Sequence, residues 1–380
     1  MAVIRKSSLI LFFVLLTALN AFSQKKNFVI RTMDWGYKIV QGDSANPKKK
    51  YYFIVPIVSY KPETRWMLGL SFANYFRAKK DDPLTRPSVL RVNFTYTQNN
   101  QWSVRPQFEI FTADNKYNLR GLFQYTKFLE NYWGIGNKVS ESNKELYTFN
   151  QYKANAKLTR LVGKGIYAGV QFNYEKLYNI GTIANSAMKA SGVNGVNGYE
   201  SLGAGPMISF DNRDHIYFPR KGHFIDVSSA IYNKAYGSSS NFTNITVDAR
   251  KYISLWKENI LALQLYGNFN EGVVPFRLMG TIGSDSYMRG YYFGRYRDHH
   301  MLAAQAEFRK QIWGPVSMVL FGGAGNVANT ITGLSNAVKP SYGIGVRFLA
   351  IPREKINMRF DYGRGLNGIE GIYLTLNEAF

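Results

Sequence analysis

From residue 51 onward the sequence alternates between apolar and polar positions. In Ile260–Phe269, Leu261, Leu263 and Leu265 fall on one side, and Gln264, Tyr266 and Asn268 on the other. Asn241–Leu255 sets Ile245, Val247 and Ala249 against Thr246, Asp248 and Arg250. Ala304–Ile312 sets Ala306 and Phe308 against Gln305, Glu307, Arg309 and Gln311. A period of two is that of a strand with two unlike faces. The pattern recurs between turns and predicts sixteen strands: 52–59, 65–77, 88–98, 101–112, 116–126, 146–161, 165–179, 199–210, 222–234, 241–255, 259–270, 299–312, 316–326, 341–350, 355–363 and 370–380. The connections between them also alternate. Those at 162–164, 256–258, 313–315 and 351–354 are short, whereas 127–145, 180–198, 271–298 and 327–340 are long. Nothing in the composition marks a second domain within 51–380.

Periodicity does not say which face is outside, so the amino terminus matters. Arg5 and Lys6 precede the apolar run Leu9–Leu16, and Ala21 and Ser23 place small residues at the positions a signal peptidase reads. Residues 1–23 therefore read as a cleaved secretory signal, the apolar run being shorter than the roughly 20 residues of a spanning helix. Residues 24–50 form a short separate segment that ends in Asn46-Pro47-Lys48-Lys49-Lys50, a linker. With no cysteine there is no lipid anchor, disulfide or thiolate metal site. Such a chain goes either to a soluble compartment or into a membrane as a β-barrel.

The composition includes 27 Tyr, 26 Phe, 6 Trp and 34 Gly. Aromatic girdles at two membrane interfaces, with glycine where strands crowd, would use such a mixture. The fold expected is an all-β, 16-stranded antiparallel transmembrane barrel. With the chain ends in the periplasm, every short connection above falls on the periplasmic side and every long one outside. The net charge of +22 fits contact with lipopolysaccharide phosphates or a basic lumen. No basic run interleaved with stacking aromatics suggests nucleic acid.

The connection 271–298 becomes the sixth extracellular loop. Its Gly280–Asp298 stretch carries three arginines and several aromatic residues, unlike a solvated loop of small polar residues. Its core, Met288-Arg289-Gly290-Tyr291, resembles the Arg-Gly-aromatic motif of the BamA/TamA-like outer-membrane barrels. These are also called bacterial surface antigens and include the FhaC-type secretion pores. Tyr60-Lys-Pro-Glu-Thr64 with Met67-Leu68-Gly69 resembles that family's first hairpin, and Tyr132-Trp133-Gly134-Ile135-Gly136-Asn137 its third loop. Gly205–Asp214 followed by Tyr217–Gly222 is similar to its turn between strands eight and nine, with Asp211, Arg213, Asp214, Pro219 and Gly222 at the motif positions. Asp211, Arg213 and Asp214 could close a charge-assisted cluster there, while Pro219 and Gly222 shape the turn.

The resemblance covers roughly 51–380. It implies a sixth loop folded into the lumen, with Arg289 paired to an acid on the wall and held down by Tyr291, Tyr292 and Phe293. In the family that acid stands in a Phe-x-Asp-x-Gly pattern on strand thirteen. Here the segment reads Phe321-Gly322-Gly323-Ala324-Gly325, so Gly323 takes its place. By alternation Glu307 and Asp361 point inward and become the candidate partners. The seam between the first and last strands is the family's lateral gate; Pro56, Gly371 and the terminal Phe380 mark it here, and Glu378 replaces the usual apolar residue. The family's POTRA domains are each several times longer than residues 24–50, so a member without them is expected.

The resemblance implies insertion or translocation of proteins or lipids at the outer membrane of a Gram-negative bacterium. A separate periplasmic partner and client outer-membrane proteins would be involved. The alternative is a passive channel whose inward arginines (Arg91, Arg105, Arg120, Arg250, Arg309, Arg347, Arg359) favour anions. No catalytic residue, cofactor or metal is expected. His215, His223, His299 and His300 lack metal spacing, and no Gly-x-Ser-x-Gly occurs.

Overall fold

The computed structural model describes residues 51–61, 65–79, 85–352 and 355–380. The expected signal, the segment 24–50 and Pro62–Thr64 of the first hairpin lie outside them. The chain forms β1 (Tyr51–Lys61), β2 (Arg65–Phe76), β3 (Ser88–Thr97), β4 (Trp102–Phe111), β5 (Tyr117–Tyr132), β6 (Glu145–Gly163), β7 (Ile166–Gly181), β8 (Tyr199–Asp211) and β9 (Gly222–Tyr232). There follow β10 (Phe242–Ser254), β11 (Ile260–Gly272), β12 (Gly280–Thr281), β13 (Arg297–Asp298), β14 (His300–Trp313), β15 (Val316–Ala328), β16 (Lys339–Ile351), β17 (Ile356–Arg364) and β18 (Glu370–Leu376). Strands β12 and β13 form a small two-stranded sheet inside the sixth loop, and the other sixteen form one antiparallel sheet in chain order.

Two strand ends depart clearly from expectation. β5 runs on to Tyr132, because its ladder with β6 continues as far as Tyr132 opposite Glu145. β18 stops at Leu376 rather than Phe380. Asn377 takes a left-handed φ of 72°, which breaks the extended backbone and turns the last residues off the sheet.

Burial tells the faces apart. The outward side chains of β2, β3, β8 and β16 include Leu68, Leu70, Phe94, Ile208 and Ile344, each between 45% and 58% exposed. Inward side chains include Asp226 of β9, Glu307 of β14, Arg347 of β16 and Asp361 of β17, all under 5% exposed. Leaving a large apolar side chain in water forgoes about 1.5–3 kcal/mol of burial, and dozens are exposed here. A surface apolar outside and ionic inside suits lipid rather than water.

The sheet curls until its ends approach. Tyr217, in the β8–β9 turn, packs in one cluster with Ala73 and Tyr75 of β2, Val89 of β3, Ala350 of β16 and Ile356 of β17. Phe380 shares another with Tyr252 of β10 and Ala262 of β11. Among the described residues no ladder joins β1 to β18.

Candidate functional site

The sixth loop begins where β11 ends and lies against the inner face of β14–β18. Ile282, Met288, Tyr291 and Tyr296 from the loop pack with Met301 and Ala303 of β14, Val327 of β15 and Ile369. At its tip Gly290 has φ 103°. A Cβ there would stand 2.6 Å from the Arg364 carbonyl carbon, so both conformation and space demand glycine. The Gly290 N–H donates to the Tyr373 hydroxyl at 2.9 Å. The Tyr291 hydroxyl donates to the Pro340 carbonyl at 2.7 Å and accepts from the Leu366 N–H at 2.9 Å. Ser341 Oγ donates to the Arg289 carbonyl.

Arg289 is fully buried between the two acids singled out by alternation. Its Nη1 donates to Asp361 Oδ2 at 2.5 Å and its Nη2 to Glu307 Oε1. The guanidinium carbon stands 3.5 Å above the Phe321 ring, a desolvated cation–π contact. Gly323, at the family's aspartate position, leaves no room for a longer side chain: a Cβ would meet the Ala304 carbonyl oxygen at 2.7 Å. The acids come instead from β14 and β17.

Around this pair lies a wider ionic cluster that sequence reasoning had missed as a unit. Arg309 reaches Glu307 with Nε at 2.9 Å, and its Nη2 donates to the Phe380 main-chain oxygen at 3.0 Å. Arg347 Nη1 reaches Asp361, and its Nε donates to Glu378 Oε2 at 2.8 Å. Asn357 Nδ2 donates to the other Glu378 oxygen at 2.6 Å. Arg359 lies 3.6 Å from Asp361 and 3.5 Å from Asp285 of the loop. Phe380 therefore does not sit in the seam strand as expected. It lies inside, 4% exposed, because the turn at Asn377 carries it to Arg309 and Tyr252.

The third-loop stretch docks on the sixth loop. Trp133 is 1% exposed and stacks on Tyr292 with ring centroids 6.0 Å apart. The Gly136 N–H donates to the Arg297 carbonyl at 2.7 Å. Of the three aromatics expected to hold the loop down, only Tyr291 is buried. Tyr292 turns to Trp133, and Phe293 is 50% exposed because the chain is already bending back toward β13.

In the β8–β9 turn Asp211 accepts from Arg213 Nε and Nη2, each at 2.9 Å, and from Arg86 Nη1 at 2.6 Å. Asp214 is not part of this cluster. It caps the turn by accepting from the N–H groups of Arg220 and Lys221 at 2.9 and 3.3 Å, so the third member is Arg86, far away in sequence. Gly222 has φ 107°, and Pro219 is buried. His215 Nδ1 accepts from the N–H groups of Tyr217 and Phe218, both at 3.2 Å; burial holds its pKa down at about 4. At the sheet's edges Pro56 of β1 stands opposite Leu70, and Gly371 of β18 opposite Gly363. Among the described residues no group of three or more His, Asp or Glu could hold a metal ion.

The profile of the Omp85 superfamily domain matches residues 71–380. The fold is similar to BamA from Haemophilus ducreyi lacking POTRA domains 1–3, with a TM-score of 0.53 and 16% identity over 86% of this chain and 69% of that one. It is also similar to CdiB from Acinetobacter baumannii, with a TM-score of 0.50 and 13% identity over 86% of this chain. The match spans only 58% of CdiB's length. No curated protein matches the sequence.

Proposed function

The chain belongs to the Omp85 superfamily, and from that membership we propose that it inserts or translocates proteins, or lipids, at the outer membrane of a Gram-negative bacterium. It does so as a transmembrane barrel whose first and last strands face one another at a seam and whose sixth loop fills part of the lumen, without covalent chemistry of its own. A separate periplasmic protein delivers clients, with residues 24–50 as its docking segment.

The observation that carries this reading is the pair of strand edges. β1 and β18 are the ends of the sheet, and no described ladder joins them. Unpaired N–H and C=O groups at membrane depth cost several kcal/mol each, by the usual order of magnitude. Such edges are a template for an incoming strand. β18 is also the shortest wall strand, at 7 residues, so closing on it engages few ladder bonds.

The passive-channel reading draws less support. Of the arginines offered for anion selection, Arg120 pairs with Asp226, Arg250 with Asp248, Arg309 with Glu307, and Arg347 and Arg359 with Asp361. Paired cations leave little net attraction for a passing anion.

The test is a seam lock. The chain has no native cysteine, so one cysteine placed within Phe53–Val55 and one within Tyr373–Thr375 report only on these edges. Oxidation should abolish client insertion into liposomes and leave small-solute conductance unchanged. Full insertion with the lock closed refutes the assembly reading. A stoichiometric periplasmic protein co-purified from native membranes supports the partner.

A further inference from the structure

We propose that the four residues beyond β18 are the release for the sixth loop: the tail and the loop are held by one shared set of buried charges, so that freeing one frees the other. The argument starts from which groups are shared. Arg309 and Arg347 each bridge an acid that grips the loop and the acid in the tail. Arg309 holds Glu307 and, at 3.7 Å, Glu378; Arg347 holds Asp361 and, at 2.8 Å, Glu378. Glu307 and Asp361 are the same two carboxylates that receive Arg289. With the tail in place all these side chains, and Arg359 beside them, are at most 3% exposed, so each takes its partners from the cluster and not from water.

Suppose the tail swings out. The four guanidinium groups of Arg289, Arg309, Arg347 and Arg359 then face two carboxylates, Glu307 and Asp361, with half-exposed Asp285 reaching, of these four, Arg359. Arg309 and Arg347 turn wholly to Glu307 and Asp361, whose oxygens already accept from Arg289. A carboxylate offers about four lone-pair sites, and further cations crowd them. Of the four arginines only Arg289 sits on a loop; Arg309, Arg347 and Arg359 are fixed on β14, β16 and β17. Arg289 is the one that leaves, and the loop leaves with it. Because Asn377 joins the tail directly to β18, whatever peels or pairs that edge strand pulls on the tail. Coupling of this kind is reciprocal by linkage, so lifting the loop also loosens the tail. It is a property of the charge cluster and holds with or without a client, so its failure would leave the assembly reading standing.

Two reporters in the folded full-length barrel test it. Ala303→Cys lies beneath the loop, 2% exposed in the cluster of Met288 and Ile282. Ala379→Cys lies in the tail, 7% exposed. Each thiol is timed against a small charged methanethiosulfonate reagent in proteoliposomes. Glu378→Gln, which keeps the shape and removes the charge, should speed modification of both thiols at least tenfold. Phe380→Ala, which removes the tail's anchor against Tyr252, should do the same and serves if Glu378→Gln fails to give a heat-modifiable folded band. In the reverse direction Arg289→Ala should speed modification at Ala379→Cys. The proposal is overturned if the tail thiol accelerates while the one at Ala303→Cys stays within twofold of the parent. It is overturned equally if neither thiol responds to either tail variant, or if Arg289→Ala leaves the tail thiol unchanged.

Discussion

Replacing Arg289 with alanine removes two charge-assisted hydrogen bonds and the contact with the Phe321 ring. Taking one partner from a buried ion pair costs about 3–5 kcal/mol, mostly because the other is left unpaired. Here the acids are not left bare: Glu307 keeps Arg309, and Asp361 keeps Arg347 and Arg359. That places the cost at the low end, about 3 kcal/mol, of which the cation–π contact contributes up to about 2. The wall is joined by continuous ladders and the loop is not, so the loss falls on the loop's own opening equilibrium. About 3 kcal/mol corresponds to roughly a hundredfold more open loop, at 1.4 kcal/mol per factor of ten. Amide exchange followed by mass spectrometry reads this directly. The Gly290 and Ile282 amides, protected by Tyr373 and by the Tyr296 carbonyl, should exchange roughly a hundredfold faster in Arg289→Ala. Amides of β6 and β7 should be unchanged. Exchange across 280–298 within threefold of the parent would mean that packing alone holds the loop, and the electrostatic account would be wrong.

Gly290→Ala should loosen the loop without touching any charge, since the new methyl meets the Arg364 backbone and the residue must keep a positive φ. The backbone penalty alone is about 1–2 kcal/mol, and faster exchange at 282 and 290 with an unchanged Arg309–Glu307 contact would establish it. The β8–β9 turn should respond to acid. With its pKa lowered from 6.5 to about 4, His215 is neutral in the intact turn and binds a proton more readily once the turn opens. Its contribution is therefore full above about pH 6.5, declines as pH falls, and is lost by about pH 4. Exchange of the Tyr217 and Phe218 amides, corrected for intrinsic rates, should rise across that window; a flat profile would refute the hydrogen-bonding role.

The strands were legible because a period of two survives in almost every segment, and the connection lengths fixed which loop carries Arg289. The faces were not, since alternation is symmetric; only the exposure of residues such as Leu70 and Ile344 beside buried Asp226 decided them. Glu307 and Asp361 could be picked out because alternation ranks inward acids. Arg86 could not, because nothing local links it to Asp211, 125 residues on. The tail was misread as strand because Ile372–Leu376 alternates cleanly and a left-handed asparagine leaves no mark in a hydrophobic pattern. Phe293 was misread because an aromatic in a buried loop looks the same whether it faces the wall or the mouth.

Tyr217 bears on how quickly such a chain can find its shape. It stacks edge-on against Tyr75 of β2 and shares one cluster with Ile356 of β17, each about 140 residues from it along the chain. Without it, the two ends of the sheet would have to find one another across about twice that span in a single search. Each doubling of a loop costs about 0.6 kcal/mol of closure entropy, a small equilibrium term, but long-range contacts dominate folding rates. A mid-chain residue that docks against either end divides the search into two shorter ones and lets the halves of the wall curl independently. Lengthening the turn that carries Tyr217 should therefore slow refolding into lipid while leaving every wall ladder intact.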